Sequence, residues 1–379
     1  MHHKLVIVLL AFLPIWIHGQ VTKIDGETFV NFAYPKFLLL VVISGFLFLT
    51  TKRITKNFFL LLFLLLLIIS CIKSIFLQTS VLGYINLRTG LITYFCCAVV
   101  YTASIGLKSN TILLTLSIYI VVDAIIGIAA YLKFNTFHWL SPIIIGHFVN
   151  TKDTVYYATV LSNFNYSSGL GAACYIMFAY YSTSWYFQLC AILSAVIVLI
   201  SLSTVGFVTI LLLLPALIYL TPRRRILIYH ATILAICYIF FYCQNHTILD
   251  NTFLFNNFTL SDRGIIWTNC LKMILQAPFF GHGLDTYPYY AYVTFDQHMT
   301  TPHNFYLALA FGAGLPVLIS FGTFLASAIK PKLAPGIFLG LCAMLIQFVT
   351  NDAMIETLPI LFILCGCLTQ YEKLSNNKL

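Results

Sequence analysis

The sequence predicts an all-α fold, a polytopic membrane bundle of about twelve spanning helices of roughly 20 residues each, with an external loop carrying short amphipathic helices. Three observations lead there. Of 379 residues, 60% are hydrophobic and 8% charged, where a soluble domain carries about 25% charged residues, so the chain cannot cover itself with polar surface. The apolar residues fall in long runs between short polar breaks. The basic residues alternate from break to break.

The runs cover residues 4 to 18, 37 to 51, 57 to 77, 90 to 107, 111 to 132, 166 to 183, 185 to 203, 205 to 220, 226 to 243, 304 to 329, 336 to 350 and 358 to 370. Residues 1–379 read as one integral-membrane domain, because the spanning helix is its natural unit. With a cytoplasmic N-terminus, alternate breaks place Lys4, Lys52, Arg53, Lys56, Lys108, Arg223, Arg224, Arg225, Lys330, Lys332, Lys373 and Lys378 inside. Lys23, Lys36, Lys73, Arg88, Lys133, Lys152, Arg263 and Lys272 fall outside, and this asymmetry obeys the positive-inside rule. Residues 244–303 then form an external loop.

Met1 to Gly19 has a basic head and an apolar stretch, as a signal peptide does; Trp16, Ile17 and His18 make a poor cleavage site, so retention is expected. The net charge of +9 is explained by loops facing a membrane surface. No loop interleaves aromatics with a basic stripe as a nucleic-acid binder would. Most cysteines sit inside apolar runs as small hydrophobes. Cys96, Cys97, Cys365 and Cys367 have no partners at zinc-ligand spacing, and no metal is expected. Cys243 and Cys270 flank the external loop and are expected unpaired. Lys73 lies near a span end, where it can snorkel. Asp123 lies within a span, either paired structurally or functional.

Chemistry concentrates near residues 261 to 317. Ser261 or Asp262 can cap an amphipathic helix carrying Ile266, Cys270, Met273 and Ile274 and stopping before Pro278. Arg263 then joins a guanidinium to free backbone amides in the first turn, a combination suited to phosphate; a snorkelling Arg or a local pair with Asp262 is the alternative. Thr301 is a candidate cap for the next helix, with Pro302 at its first position and His303 and Asn304 in its first turn. His303 there is a candidate general base, or a histidine that only hydrogen-bonds at the interface. Gly281-His282-Gly283 and Asp285 lie between, where glycines let backbone amides approach a ligand. Tyr287, Tyr289, Tyr290 and Tyr292 read as interfacial tyrosines or as sugar-stacking rings.

Arg263-x-x-x-Trp267, Pro278, Gly281-x-Gly283, His303-Asn304 and Gly314 together resemble the O-antigen ligase and polymerase superfamily of bacterial polytopic membrane glycosyltransferases. The motif block spans residues 260 to 317. The resemblance implies metal-independent, inverting transfer of a glycan from an undecaprenyl diphosphate carrier at the periplasmic face of the inner membrane, without a cofactor. Arg263 would engage the donor diphosphate and His303 would activate the acceptor hydroxyl. Arg88, His282, Asn304, Gly281 and Gly283 would support them. The acceptor would be lipid A core for a ligase, or a second lipid-linked glycan for a polymerase. Val205 stands where relatives often carry an arginine in a Ser-Arg-Gly-like stretch, and Arg88 is the candidate substitute. Val317 stands where ligases tend to carry glycine. A lipid-linked sugar transporter is the reading of another class, and would call for essential intramembrane charges.

Overall fold

Apolar runs fold as helices in a membrane because a helix satisfies every backbone donor and acceptor within one segment. The computed structural model describes residues 2–16, 20–24, 27–31, 33–51, 57–131, 148–151, 154–157, 161, 164–182, 184–201, 203–221, 224–245, 260–296, 299–330 and 334–369. In chain order the elements are α1 (His2–Ile15), β1 (Gln20–Ile24), β2 (Glu27–Asn31), α2 (Ala33–Thr50), α3 (Phe58–Lys73), α4 (Leu77–Leu82), α5 (Leu91–Ser104) and α6 (Ser109–Tyr131). There follow β3 (Phe148–Thr151), β4 (Thr154–Tyr157), α7 (Phe164–Tyr180), α8 (Trp185–Ile200), α9 (Thr204–Leu220) and α10 (Arg224–Asn245). The last group is α11 (Leu260–Gln276), α12 (Tyr287–Phe295), α13 (Phe305–Ala313), α14 (Leu315–Ala328), α15 (Pro335–Gln347) and α16 (Leu358–Thr369).

Every apolar run read from the sequence carries a helix. Two of these, Ala33–Thr50 and Ser109–Ala129, have the length and apolar composition to cross a bilayer, and most of the other apolar helices are 10–17 residues long. The apolar runs are therefore helical where expected, and two of them are clear candidate spans among the described residues. The all-α expectation needs one correction. Two antiparallel hairpins interrupt it, β1 with β2 (Val21 opposite Val30) and β3 with β4 (Val149 opposite Tyr156). Both lie in inter-helix segments that the reading by apolar runs passes over.

The run from 304 to 329 is also two helices rather than one. Gly314 adopts φ 89° between α13 and α14, and a Cβ there would stand 2.4 Å from the carbonyl oxygen of Phe279. A side chain is excluded by both the left-handed backbone and the neighbouring strand of chain.

A smaller apolar cluster lies under α11, and the main core is one large cluster. α7 sits at its centre against α8, α9 and α15, while α16 packs on α5 and α14 on α3. Tyr101, Tyr119, Tyr175, Phe63 and Phe324 are fully buried there. Outward, α2 exposes Phe46, Phe48 and Leu49, α9 exposes Leu212, and α14 exposes Ile319. So much exposed apolar surface suits a lipid environment and not water.

Polar contacts sort to the two ends of the bundle. At one end Asn57 Nδ2 donates to Ser327 Oγ at 2.9 Å, Tyr101 meets Thr369 at 3.1 Å, and Cys367 Sγ donates to the Leu107 carbonyl at 3.1 Å. At the other end lie Lys36 with Glu356, Arg88 over Tyr34, and His303 beside Asp352. Lys36, Arg88 and His303 thus share one end of the bundle, and Asn57, Leu107 and Ser327 lie at the other.

Two charged residues lie in the spans. Asp123 is fully buried and accepts a hydrogen bond from Tyr119, one turn earlier, at 2.9 Å. Lys73 is exposed in the last turn of α3, a position from which its long stem can snorkel.

Candidate functional site

The amphipathic helix expected after Ser261 is α11. Its apolar stripe, Ile266, Cys270, Met273 and Ile274, is buried against Tyr287, Ala291, Ala310 and Phe311. The helix begins at Leu260, so Ser261 and Asp262 stand within the first turn rather than at the cap, and their side chains lie outside the described residues. Cys270 is a free, buried thiol; the Cys243 side chain lies outside the described residues.

Arg263 is half-buried at the start of α11. Burial pulls its guanidinium below the ordinary arginine range, while the Asp352 carboxylate and the Tyr166 hydroxyl act to hold it up. Arg263, Asp352 and Tyr166 thus share one electrostatic neighbourhood. One turn further on, Trp267 Nε1 donates to the carbonyl oxygen of Pro302 at 3.0 Å. The Arg-x-x-x-Trp spacing places the guanidinium and the anchor on the same face of α11.

The second helix start differs from the expectation. The N-cap is Asn304, not Thr301: its Oδ1 accepts from Leu307 N at 3.0 Å, and α13 begins at Phe305. His303 therefore precedes the helix, with φ 52°. The left-handed turn releases Thr301 for another task. Thr301 Oγ1 donates to Asp352 Oδ2 at 2.5 Å and lies 3.3 Å from His303 Nδ1. His303 Nδ1 is 3.4 Å from the same carboxylate oxygen, with the His303 side chain 38% exposed and that of Asp352 6% exposed. Since the Thr301 proton goes to Asp352, its oxygen accepts from Nδ1–H. That hydrogen-bond pattern assigns the proton to Nδ1 and leaves Nε2 as the acceptor. Tyr166 also donates to Asp352 Oδ2, at 3.4 Å.

Asp352 was not singled out from the sequence. It lies in the polar break between the last two spans, 49 residues beyond His303 by number, and nothing local marks it as a partner. The available signal was indirect. Acidic residues are scarce, 11 in the chain, and Asp352 and Glu356 fall together in a break assigned to the same side as His303.

The glycines do a different job from the one expected. The amides of Gly281, His282 and Gly283 donate to the carbonyls of Ala277, Phe311 and Gly312 at 2.9, 2.9 and 2.7 Å. Gly281 has φ 65°, and a Cβ there would meet the backbone of Gly312 and Ala313 at 2.5 Å. Pro278, Gly281, Gly283 and Gly314 mark a crossing of two backbones, with these amides turned onto protein carbonyls. His282 is likewise held by protein. Its Nε2 is 2.9 Å from the Met273 carbonyl, and its ring stacks on Phe311 with centroids 4.8 Å apart.

Arg88 stands at the same end in a left-handed turn, φ 54°. Its guanidinium lies 5.1 Å from the Tyr34 ring centroid, and its buried Nε has no hydrogen-bond partner. Burial lowers it, and Tyr34 and Asp285 act to raise it. Asp285 fixes the loop that carries it, accepting from Tyr84 N at 3.1 Å, Thr89 N at 2.9 Å and Thr89 Oγ1 at 2.6 Å. Burial raises the Asp285 carboxyl from 3.8 to about 6, against the three hydrogen bonds and with a smaller push from Asp352. Thr89, Asp285, Tyr287, Thr301 and Asp352 line one cavity; Tyr166, Gln347, Asn351 and Asp352 line another. Asp352 stands between the two.

Val205, at the position where an arginine was missed, belongs to the first turn of α9. Its carbonyl accepts from Gln347 Nε2 at 3.0 Å, and Asn351 Nδ2 donates to Gln347 Oε1 at 3.2 Å. Among the described residues, no group of three or more His, Cys, Asp and Glu side chains is placed to hold a metal ion.

Residues 189–322 match a family model, Wzy_C, described as O-Antigen ligase. The match runs from α8 into α14. It takes in Arg263, Trp267, the glycine crossing and His303, and stops short of Lys36, Arg88, Asp352 and Glu356. No curated protein matches the chain.

Proposed function

We propose, from the premise that residues 189–322 support membership of the O-antigen ligase and polymerase superfamily, that this protein is an O-antigen ligase-type glycosyltransferase of the bacterial inner membrane. It forms one integral-membrane domain with its site on the periplasmic side. The observation that carries the reading is the Thr301–Asp352–His303 cluster, whose Asp352 carboxylate also acts on the Arg263 guanidinium.

In this reading the acceptor hydroxyl attacks the anomeric carbon of a glycan carried on undecaprenyl diphosphate. The new glycosidic C–O bond forms as the bond to the diphosphate oxygen breaks, with inversion. His303 Nε2 takes the hydroxyl proton, and Asp352 with Thr301 holds the ring in the tautomer that leaves Nε2 free. Arg263 balances the charge growing on the departing diphosphate. Arg88 is the second cation for that role, supported by its unpartnered Nε and its place on the Asp285-bound loop. Asn304 holds the start of α13, and His282, Gly281 and Gly283 hold the backbone crossing; all four support the site from behind. No metal or cofactor takes part.

The acceptor is lipid A core. A polymerase, transferring to a second lipid-linked glycan, is the second reading. It is favoured by Val205 in place of the arginine and by the buried Val317 in place of glycine. A lipid-linked sugar transporter has less support, because Asp123 is engaged by Tyr119.

The test is the glycan profile of a deletion strain of the native host, complemented with the wild-type gene and with His303→Ala. Long glycan held on the lipid carrier and missing from lipid A core establishes the ligase. Lipid A core bearing a single repeat establishes the polymerase. An unchanged profile in the deletion strain removes both.

A further inference from the structure

α2 enters the bundle through Ala33-Tyr34-Pro35-Lys36-Phe37, and this first turn touches two separate parts of the site. Lys36 is fully buried, a rare state for lysine. Its Nζ lies 2.7 Å from Glu356 Oε1, with side-chain exposures of 0% and 5%. Glu356 is one of the residues between α15 and α16, on the segment that carries Asp352. Two residues before Lys36, the Tyr34 ring lies beneath Arg88, and Phe37 approaches the same guanidinium at 5.9 Å.

A buried ion pair is a poor way to hold two segments together, because desolvation offsets much of the attraction and an apolar pair of similar volume packs as well or better. What the pair adds is geometry. A charged nitrogen and a carboxylate must meet at hydrogen-bond distance or leave a naked charge in the interior, so the position of one backbone fixes the other. The segment is held locally where Met354 N donates to Thr357 Oγ1 at 3.1 Å, and its beginning is tied to the start of α13, where Phe305 N donates to the Phe348 and Asn351 carbonyls at 3.0 and 3.1 Å. Glu356 is its charged tie to α2.

We propose that Lys36 and Glu356 are a positioning pair for Asp352: they set the 348–357 segment at the place where Asp352 reaches Thr301 and His303. Neither residue touches substrate, and their effect on transfer runs through the Asp352 carboxylate. The inference rests on the functional reading above, in which Asp352 holds the histidine that accepts the hydroxyl proton.

The experiment is a mutant cycle on the full-length purified protein. It measures transfer from an undecaprenyl-diphosphate-linked glycan to the acceptor identified by the glycan profile, alongside thermal unfolding. The variants are Lys36→Met with Glu356→Leu, Asp352→Asn, and all three together. Removing both charges at once is expected to leave Tm near wild type and to lower kcat on the order of tenfold, whereas in the Asp352→Asn background the same pair of changes costs less than about twofold. Losses that multiply in the triple variant, or a double variant with wild-type kcat, overturn the proposal. Should the double variant fail to fold, Glu356→Asp keeps the charge and shortens its reach by one methylene. It is expected to fold and turn over more slowly, with the same loss of effect in Asp352→Asn, and wild-type turnover in it overturns the proposal. A wild-type protein that transfers nothing from that donor removes the functional reading itself, an outcome distinct from the others because it precedes any substitution.

Discussion

Trp267 donates its indole N–H to the carbonyl oxygen of Pro302, 3.0 Å away, and so joins the helix that bears Arg263 to the residue immediately before His303. The two residues proposed for chemistry lie 40 positions apart by number and are brought into register by this bond. Trp267→Phe keeps the ring but leaves the Pro302 carbonyl without its donor, which costs about 1–3 kcal/mol. A lower Tm and a lower kcat/KM are expected together; unchanged kcat/KM with lowered Tm would confine Trp267 to stability.

His303→Ala is expected to lower transfer by about 10²–10⁴-fold, the usual range for a lost general base. Asp352→Asn should lower it less, since the ring remains but its orientation is lost. Because the two act as a unit, the double variant should be no slower than His303→Ala alone. Initial rates at equal protein level decide this, and a double variant slower than the single one by the Asp352→Asn factor would separate their roles.

Arg263→Lys retains a positive charge but not the planar fork that pairs with two phosphate oxygens. It is expected to recover only a small part of the activity lost in Arg263→Ala. Full recovery would mean that Arg263 supplies charge alone.

The Asp285 carboxyl titrates at about 6 in the folded protein against an ordinary 3.8. Between about pH 4 and pH 6 the folded chain therefore binds more protons at this group than the unfolded chain, and stability falls as pH rises through that window. The contribution is fully present below about pH 4 and lost above about pH 6. Thermal unfolding across this range should show wild-type Tm falling relative to Asp285→Asn, which has no carboxyl to ionise there; parallel curves would refute the assignment.

Gly281→Ala would place a methyl group 2.5 Å from the backbone of Gly312 and Ala313 at a residue with φ 65°. Little folded protein should accumulate in the membrane. Gly322→Ala is the control, since nothing lies within 4 Å of its added Cβ; it should leave the level unchanged.

Much of the bundle was legible because lipid imposes a simple code, apolar runs between charged breaks. The stripe of Ile266, Cys270, Met273 and Ile274 on α11 was legible from its helical spacing. Asp352 escaped because its meaning depends on Thr301 and His303, which no spacing in the sequence brings near it. The glycines were legible as places of close approach, but not what approached: the carbonyl end of α13 took the position given to a ligand. Thr301 was misread as a cap because the left-handed turn at His303 moves the helix start to Asn304.

The crossing of Pro278–Gly283 over α13 also says how specificity could be moved between relatives. The amides of His282 and Gly283 complete the hydrogen bonding of the last turn of α13, so this stretch of loop is structurally a part of that helix. A chimera cut between the two would separate a helix from its own ending. The transplantable unit begins before α11 and closes after α14, carrying the arginine, the histidine and their shared scaffold as one cassette, and it must be received by a host whose last polar break offers a carboxylate where Asp352 stands.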